Sequence, residues 1–152
     1  MNGVAVRTAE IADAAIVGAL VAKLLNELDP DTLHDPREYA ERAHMLLRLG
    51  ERVWGLLAFL DTAPVGVLML NECAAIYAGG LFGEITELYV EPAVRSRGVG
   101  PALIQAAFAF ARARNWKRLE VGAPPQPEWA RTRQFYLREG FIEVGPRLRR
   151  LA

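Results

Sequence analysis

Apolar residues in the first third of the chain recur with the period of an α-helix. Over Ile11–Leu28 they return every three or four positions, which predicts an amphipathic helix. A segment rich in aspartate and proline interrupts this pattern at 29–36. The spacing then predicts a second helix over Arg37–Leu49. A short strand is expected before both helices, at Val4–Arg7.

The middle of the chain changes to the short apolar runs of β-strands. Strands are predicted at Arg52–Leu60, Val65–Ala75 and Gly83–Val90, with turn residues between them. Short turns of this kind join neighbouring antiparallel strands. Positions 65–70 are apolar without alternation, which indicates burial on both faces and a central place in the sheet.

The last third predicts further elements, namely a helix at Ala102–Arg114, a strand at Lys117–Gly122, a helix at Glu128–Glu139, and two short strands at Phe141–Val144 and Leu148–Leu151. The expected fold is therefore α+β (mixed α/β). It has one mostly antiparallel sheet of six to seven strands flanked by about four helices. We expect a single domain over residues 1–152.

Composition and charge narrow the class of protein. The 152 residues are 52% hydrophobic and carry 18 basic and 18 acidic side chains. This balance does not predict a nucleic-acid surface, and no apolar run approaches the length of about 18 residues that a membrane span needs. The single cysteine, Cys73, excludes an intramolecular disulfide, and two histidines disfavour a metal site. The N-terminus lacks a signal region, so we expect a cytosolic protein.

The segment Ile85–Leu103 carries the strongest chemical signal. A predicted strand enters a loop with Gly98 and Gly100, and this loop opens a helix. The first N–H groups of a helix lack internal partners and carry partial positive charge, so the loop favours a phosphate. Arg95 and Arg97 can add charge-assisted contacts. A surface turn with solvated arginines is the alternative.

A dinucleotide-binding loop also has two glycines at this spacing. It requires a third glycine near position 103, where Leu103 stands, and a chain that alternates strand and helix. The three consecutive antiparallel strands that precede the loop argue against it.

A wider set of motifs resembles the GNAT superfamily of N-acetyltransferases. It comprises Leu88-Tyr-Val-Glu-Pro92, Arg95-Ser-Arg-Gly98-Val-Gly100, Ala102-Leu103 and Phe135-Tyr-Leu-Arg-Glu-Gly140-Phe141. The resemblance implies acetyl-CoA as co-substrate, no metal, a loop that wraps the pyrophosphate, and a strand that pairs with the pantetheine arm. The implied cofactor-binding residues are Leu88, Tyr89, Val90, Arg95, Ser96, Arg97, Gly98, Val99, Gly100, Ala102 and Thr132.

Two departures from the family pattern are visible. Pro101 stands where many relatives have a residue with an N–H, so one phosphate donor is lost. The helix itself loses little, because a first-turn N–H has no helical partner. Trp129 and Thr132 stand where the family often has an asparagine and an alanine that contact the cofactor, which leaves no asparagine for that contact.

Glu87 and Tyr136 are the candidate catalytic residues. Only a neutral amine attacks a thioester, and deprotonating an amine of pKa about 10.4 at pH 7 costs about 4–5 kcal/mol. A glutamate in a central strand beside the implied thioester can take that proton, directly or through water. The resemblance implies Tyr136 as acid for the leaving thiolate and the Leu88 amide as a donor to the oxyanion. An exposed strand carboxylate and a core aromatic are the respective structural alternatives.

Strand alternation adds a prediction about faces: Ile85, Glu87 and Tyr89 on one side of the sheet, and Thr86, Leu88 and Val90 on the other. His34, in the loop between the first two helices, is expected to be solvated, with a substrate contact as the alternative.

The combined expectation is an N-acetyltransferase that moves the acetyl group from acetyl-CoA to a primary amine by direct attack in a ternary complex. The amine is expected to be a small cationic molecule. No acyl-enzyme is expected, because Cys73 has no histidine near it in the sequence. A protein acetyltransferase and a non-catalytic acyl-CoA-binding module are the alternatives. The family resemblance alone implies a homodimer.

Overall fold

The computed structural model describes residues 3–152, which contain one five-stranded sheet in the order β1-β2-β3-β4-β5. The strands are β1 Val4–Thr8, β2 Val53–Leu60, β3 Ala63–Ala75, β4 Gly80–Val90 and β5 Leu119–Val121, and the helices are α1 Ala14–Leu28, α2 Pro36–Leu47, α3 Val99–Ala113 and α4 Ala130–Arg138. β1 to β4 pair antiparallel in sequence order. None of the helices in this described range is long and apolar enough to cross a membrane.

The chain forms two compact units with their boundary between Glu120 and Val121. The first holds α1, α2, α3 and the sheet except the last residue of β5, and the second holds α4 and the C-terminal segment. The single domain over residues 1–152 stays a prediction.

α1 and α2 cover one face of the sheet. Leu57, Val67 and Tyr89 from the strands are buried in one apolar cluster with Val17 and Leu20 of α1. The apolar residues whose spacing predicted each helix are thus the ones that pack against the sheet.

The two helices approach each other closely at Gly18. A β-carbon built on Gly18 would lie 2.4 Å from the Ala40 nitrogen, closer than any real side chain comes to a backbone atom. Glycine at this position is therefore required by the α1–α2 crossing.

α3 lies against the opposite face. A β-carbon on Gly66 of β3 would meet Leu103 and Val99 of α3, each at 3.1 Å. Leu68 and Leu70 follow Gly66 on the same face at period two and are fully buried. The run 65–70 is thus covered on both sides, as predicted from its composition.

β4 contains one extra residue relative to β3. Leu70 pairs with Ile85 while Met69 pairs with Glu87, so Thr86 forms a β-bulge. Since paired residues share a face, Ile85 faces α3, whereas Glu87 faces the side of α1 and α2. The predicted common face for Ile85 and Glu87 was wrong, because alternation assumes a strand without an inserted residue.

The two predicted C-terminal strands were also wrong, so the sheet has five strands instead of six to seven. Residues 141–152 of the second unit form no regular secondary structure. Ile142 is 80% exposed and Leu148 is 94% exposed. Gly145, with φ 133°, and Pro146 divide two short apolar alternations, and proline cannot donate a ladder hydrogen bond.

The remaining predicted elements form, with shifted ends. α3 begins at Val99 instead of Ala102, because the ring of Pro101 is compatible with a first helical turn. β5 covers three residues instead of the predicted six.

Candidate active site

The loop between β4 and α3 contains two left-handed backbone conformations. Ser96 has φ 72°, and Gly98, the N-cap of α3 at φ 84°, has no side chain that could accept a hydrogen bond from the first-turn amides. The Ala102 N–H donates to the Gly98 carbonyl at 3.1 Å. The amides of Val99 and Gly100 belong to the first turn, which lacks intrahelical acceptors. Together with the helix dipole they create the positive potential of an anion site.

Pro101 belongs to the same turn and has no N–H to contribute. The site therefore relies on the amides that precede it. Arg97 has an exposed side chain at the base of this turn, and its own N–H donates to the Val94 carbonyl at 3.2 Å.

The outer edge of β4 is the edge away from β3. β5 lies on this side, and the residues just before β5 bond to β4 near its start, at Leu81 and Gly83. The Glu91 N–H donates to the Val65 carbonyl at 2.9 Å. The main-chain groups of successive residues in an antiparallel strand point alternately to its two edges. The N–H and C=O groups of Tyr89 therefore also point to β3, while those of Leu88 and Val90 point away from it. That edge can accept an extended amide chain as another strand would.

Arg95 links this edge to helix α1. Its Nε donates to the Val90 carbonyl at 2.9 Å, and its terminal nitrogen lies 2.7 Å from a carboxylate oxygen of Glu27. The guanidinium also lies over the Tyr89 ring, 5.6 Å from its centroid. In this structure the Arg95 side chain is thus engaged with α1 and the end of β4, and its contact with a phosphate stays a prediction.

Glu87 is half-buried on the face of the sheet that α1 and α2 cover. Burial raises the pKa of the Glu87 carboxyl above its ordinary value, and the negative charge of Glu84 raises it further. The Thr86 hydroxyl, which donates a hydrogen bond to this carboxyl, opposes the rise. Glu84 pairs with Asn71, two residues from Met69 along β3, so both glutamates share one face. A carboxyl group in such surroundings is a better proton acceptor than a solvated one.

Tyr136 lies on α4 in the second unit and is 8% exposed. Its ring packs against Phe135 and Phe141, with centroids 5.4 Å and 5.5 Å away. Burial raises the pKa of the phenol to about 12. The group therefore keeps its proton at neutral pH and can act only as a donor there.

The sequence matches the model of a known protein family over most of its length. A model of the acetyltransferase (GNAT) family matches residues 19–141. The chain belongs to the GNAT acetyltransferase family. Among curated proteins none matches this GNAT chain by sequence.

Solved structures share its fold. The ribosomal-protein-alanine N-acetyltransferase of Brucella melitensis biovar Abortus 2308 is 23% identical with TM-score 0.79, covering 99% of this chain and 100% of that one. The aminoglycoside N-acetyltransferase AAC(6')-Iy, in complex with CoA, is 15% identical with TM-score 0.78, covering 99% and 95%. Meta-AAC0020, an aminoglycoside acetyltransferase from an uncultured soil metagenomic sample in complex with sisomicin, is 16% identical with TM-score 0.76, covering 98% and 97%. At these identities the likeness concerns the fold.

GNAT enzymes use acetyl-CoA, and the first unit offers groups that fit its chemistry. The amides of Val99 and Gly100 suit a pyrophosphate, and the outer edge at Leu88 and Val90 suits the amides of a pantetheine arm. Left-handed Gly98 has no atoms within 4 Å of a β-carbon position, so a ligand can approach its main chain.

The second unit holds two further predicted residues. Thr132 is half-buried on α4, and its N–H donates to the Trp129 carbonyl at 3.1 Å. Its cofactor contact stays a prediction, as does the role of Tyr136 as acid. In the first unit, by contrast, Glu87, the outer edge and the loop are parts of one continuous segment, 87–102.

His34 differs from expectation, because it is 8% exposed instead of solvated. Its Nδ1 lies 2.9 Å from the Tyr39 hydroxyl and its Nε2 lies 3.3 Å from the Asp29 carbonyl. These contacts fix the loop between α1 and α2, so the residue has a structural role. Within residues 3–152, no three His, Cys, Asp or Glu side chains form a metal-binding group.

Sequence reasoning missed Lys23 and Glu27 of α1. They form ion pairs with Glu91 and Arg95 across 68 positions of sequence. Their opposite charges at a spacing of one helical turn are visible in the sequence, but no pattern names partners so far along the chain.

Proposed function

We propose that this GNAT acetyltransferase transfers the acetyl group of acetyl-CoA to a small cationic primary amine by direct attack in a ternary complex. The observation that carries the proposal is the Glu87 carboxyl, half-buried next to the outer edge of β4, with a pKa raised by burial. A carboxylate there is suited to bind an ammonium group and then to accept its proton.

The cofactor is proposed to bind along segment 88–102. Leu88 and Val90 pair with the pantetheine arm, and the Leu88 amide also donates to the oxyanion. The amides of Ser96, Gly98, Val99 and Gly100, with Ala102 behind them, enclose the pyrophosphate, and the exposed Arg97 adds charge. Thr132 is proposed to contact the cofactor from α4. Acetyl-CoA supplies the activated acyl group, and the chain supplies binding, orientation and proton transfer.

Two residues are proposed to move protons. Glu87 accepts the proton of the amine, which lowers the cost of about 4–5 kcal/mol for deprotonation in water at pH 7. Tyr136 donates to the leaving thiolate. A thiol of pKa about 8.5 is a moderate leaving group, so little assistance is required.

The amine is proposed to carry more than one positive charge. Glu84 lies on the same face as Glu87 and its charge acts on the same carboxyl. An amine with a second cationic group would gain from both carboxylates. Relatives in fold include aminoglycoside acetyltransferases, one of them in complex with sisomicin, and also a ribosomal-protein-alanine N-acetyltransferase, so a peptide N-terminus is the competing acceptor.

The test is release of free thiol from acetyl-CoA in the presence of polyamines, aminoglycosides or a peptide with N-terminal alanine. We expect turnover with a polycationic small amine and little with the peptide. Turnover with the peptide alone would contradict the proposed small-amine acceptor. Binding of CoA without turnover of any amine would favour an acyl-CoA-binding module.

A homodimer is proposed from the family resemblance alone, and a cytosolic location is proposed from the sequence. Sedimentation equilibrium over a range of protein concentrations tests the first, because a mass that stays at 16.8 kDa contradicts it. Fractionation of cells that produce the protein tests the second.

A further inference from the structure

Helix α1 contacts the segment after β4 through two ion pairs of opposite polarity. The ammonium of Lys23 pairs with the Glu91 carboxylate, and the Glu27 carboxylate lies 2.7 Å from the Arg95 guanidinium. Lys23 and Glu27 are four residues apart, so they project from the same side of the helix one turn apart. We call these four residues the α1 clamp.

The clamp holds both ends of the short 3-10 helix Pro92–Val94, which connects β4 to the loop. Glu91, before it, also donates its N–H to Val65 and accepts from the Tyr89 hydroxyl at 3.5 Å. Arg95, after it, also donates to the Val90 carbonyl at 2.9 Å. Glu91 and Arg95 are therefore each bound both to α1 and to the sheet.

The loop that begins at Arg95 needs such support. Ser96 is a non-glycine residue at φ 72°, a conformation that costs free energy and persists only where its surroundings impose it. Amide groups that bind an anion do so more tightly when they are already in place, because ordering them on binding reduces affinity. Half-exposed ion pairs contribute little to global stability, so the main effect of the clamp falls on this local conformation.

We propose that Lys23 and Glu27 are positioning residues that hold segment 95–100 in its cofactor-binding conformation in the free protein. The inference rests on the proposed function, since it takes coenzyme A as the ligand of the loop. Neither residue contacts the cofactor in this proposal. They act through Glu91 and Arg95.

The test compares Lys23→Glu, Glu91→Lys, the double exchange K23E/E91K and Glu27→Gln with the wild-type protein. The matched control is Glu38→Gln, which removes an ion pair to Arg42 on α2 that is also half-exposed. The readouts are the calorimetric Kd of CoA, the KM of acetyl-CoA, the KM of the amine, kcat and Tm.

We expect Glu27→Gln to raise the Kd of CoA and the KM of acetyl-CoA about two- to fivefold, the size typical of a lost half-exposed ion pair. Lys23→Glu and Glu91→Lys should raise both at least as much, because each reversal also places two like charges together. The kcat and the KM of the amine stay unchanged, and Tm matches that of Glu38→Gln. The double exchange restores the Kd to within about twofold of wild type, because it restores the pair with its polarity reversed.

Kd values equal to that of the control overturn the clamp. A parallel fall of kcat and Tm without a selective rise in KM for acetyl-CoA also overturns it, because that is the pattern of a merely structural contact. A wild-type protein that binds no CoA overturns both the clamp and the proposed function. Binding of CoA without turnover of any amine overturns only the enzyme proposal, and the Kd values then decide the clamp.

Discussion

The carboxyl group of Glu87 has its proton affinity set by its neighbours. Burial and the charge of Glu84 raise its pKa, and the Thr86 hydroxyl lowers it. A base acts only when ionised, so its contribution to the rate grows as pH rises through the raised pKa and is absent below it.

For Glu87→Gln we expect kcat/KM for the amine to fall by about a hundredfold or more, the usual contribution of general base catalysis. The acid limb of the pH–rate profile, placed above the ordinary glutamate value of about 4.5, should disappear with it. The Kd of CoA should not change.

Glu84→Gln is the matched control for this profile. It keeps the base and its burial but removes the negative charge that adds to the rise of the Glu87 pKa, so the acid limb persists and moves to lower pH. A limb that remains in Glu87→Gln would show that another group, or the amine itself, titrates there.

Tyr136 offers a second prediction at the residue scale. Replacing it with phenylalanine should lower kcat about tenfold to a hundredfold when chemistry limits the rate, whereas the apolar contacts with Phe135 and Phe141 remain. An unchanged single-turnover rate would remove Tyr136 from the mechanism.

The same variant tests the raised pKa through stability. Tyr136 binds its proton more tightly in the folded chain, at pKa about 12, than at the ordinary value of 10.0. Its contribution to the free energy of unfolding is therefore complete below about pH 10 and is lost as pH rises through about 12. Urea unfolding at increasing alkaline pH should show a smaller loss in Tyr136→Phe than in wild type.

At the scale of elements, the spacing of apolar residues and the positions of turn-forming residues predicted most helices and strands. The apolar residues that predicted α1 and α2 are the ones that pack on the sheet, because helical apolar spacing arises where one side of a helix is buried. The bulge at Thr86 could not be predicted, since an inserted residue leaves the composition of the strand unchanged. The loop after β4 was predictable because its glycines meet a local backbone requirement.

The crossing of α1 and α2 gives a prediction at this scale. Gly18→Ala would gain helix propensity, but its methyl group meets the main chain of Ala40, which cannot move aside. We expect a net loss of about 1–3 kcal/mol in the free energy of unfolding, measured by urea denaturation. Gly50→Ala, with no atoms within 4 Å of its methyl group, should change it by less than about 0.5 kcal/mol. Equal effects of both changes would contradict the close crossing.

At the scale of the whole molecule, the resemblance of a few motifs predicted family and fold class, because those motifs follow from backbone geometry at one loop and one strand. It overcounted the strands, since Phe141–Val144 and Leu148–Leu151 were predicted as strands, although this segment forms none and Ile142 and Leu148 are exposed. The burial that raises the pKa of Glu87 and the pairing of Arg95 with Glu27 both arise from tertiary packing. The contacts of such groups cannot be read from local sequence.

The extra residue in β4 also changes how related sequences should be compared. Glu84 and Glu87 are three positions apart and still face the same way, because Thr86 lies between them as the inserted residue. An alignment that scores this strand by strict alternation would separate the two acids. Relatives with the same pair of carboxylates should be sought by a spacing of three in strands with the insertion, and by a spacing of two, with a one-residue gap opposite Thr86, in strands without it.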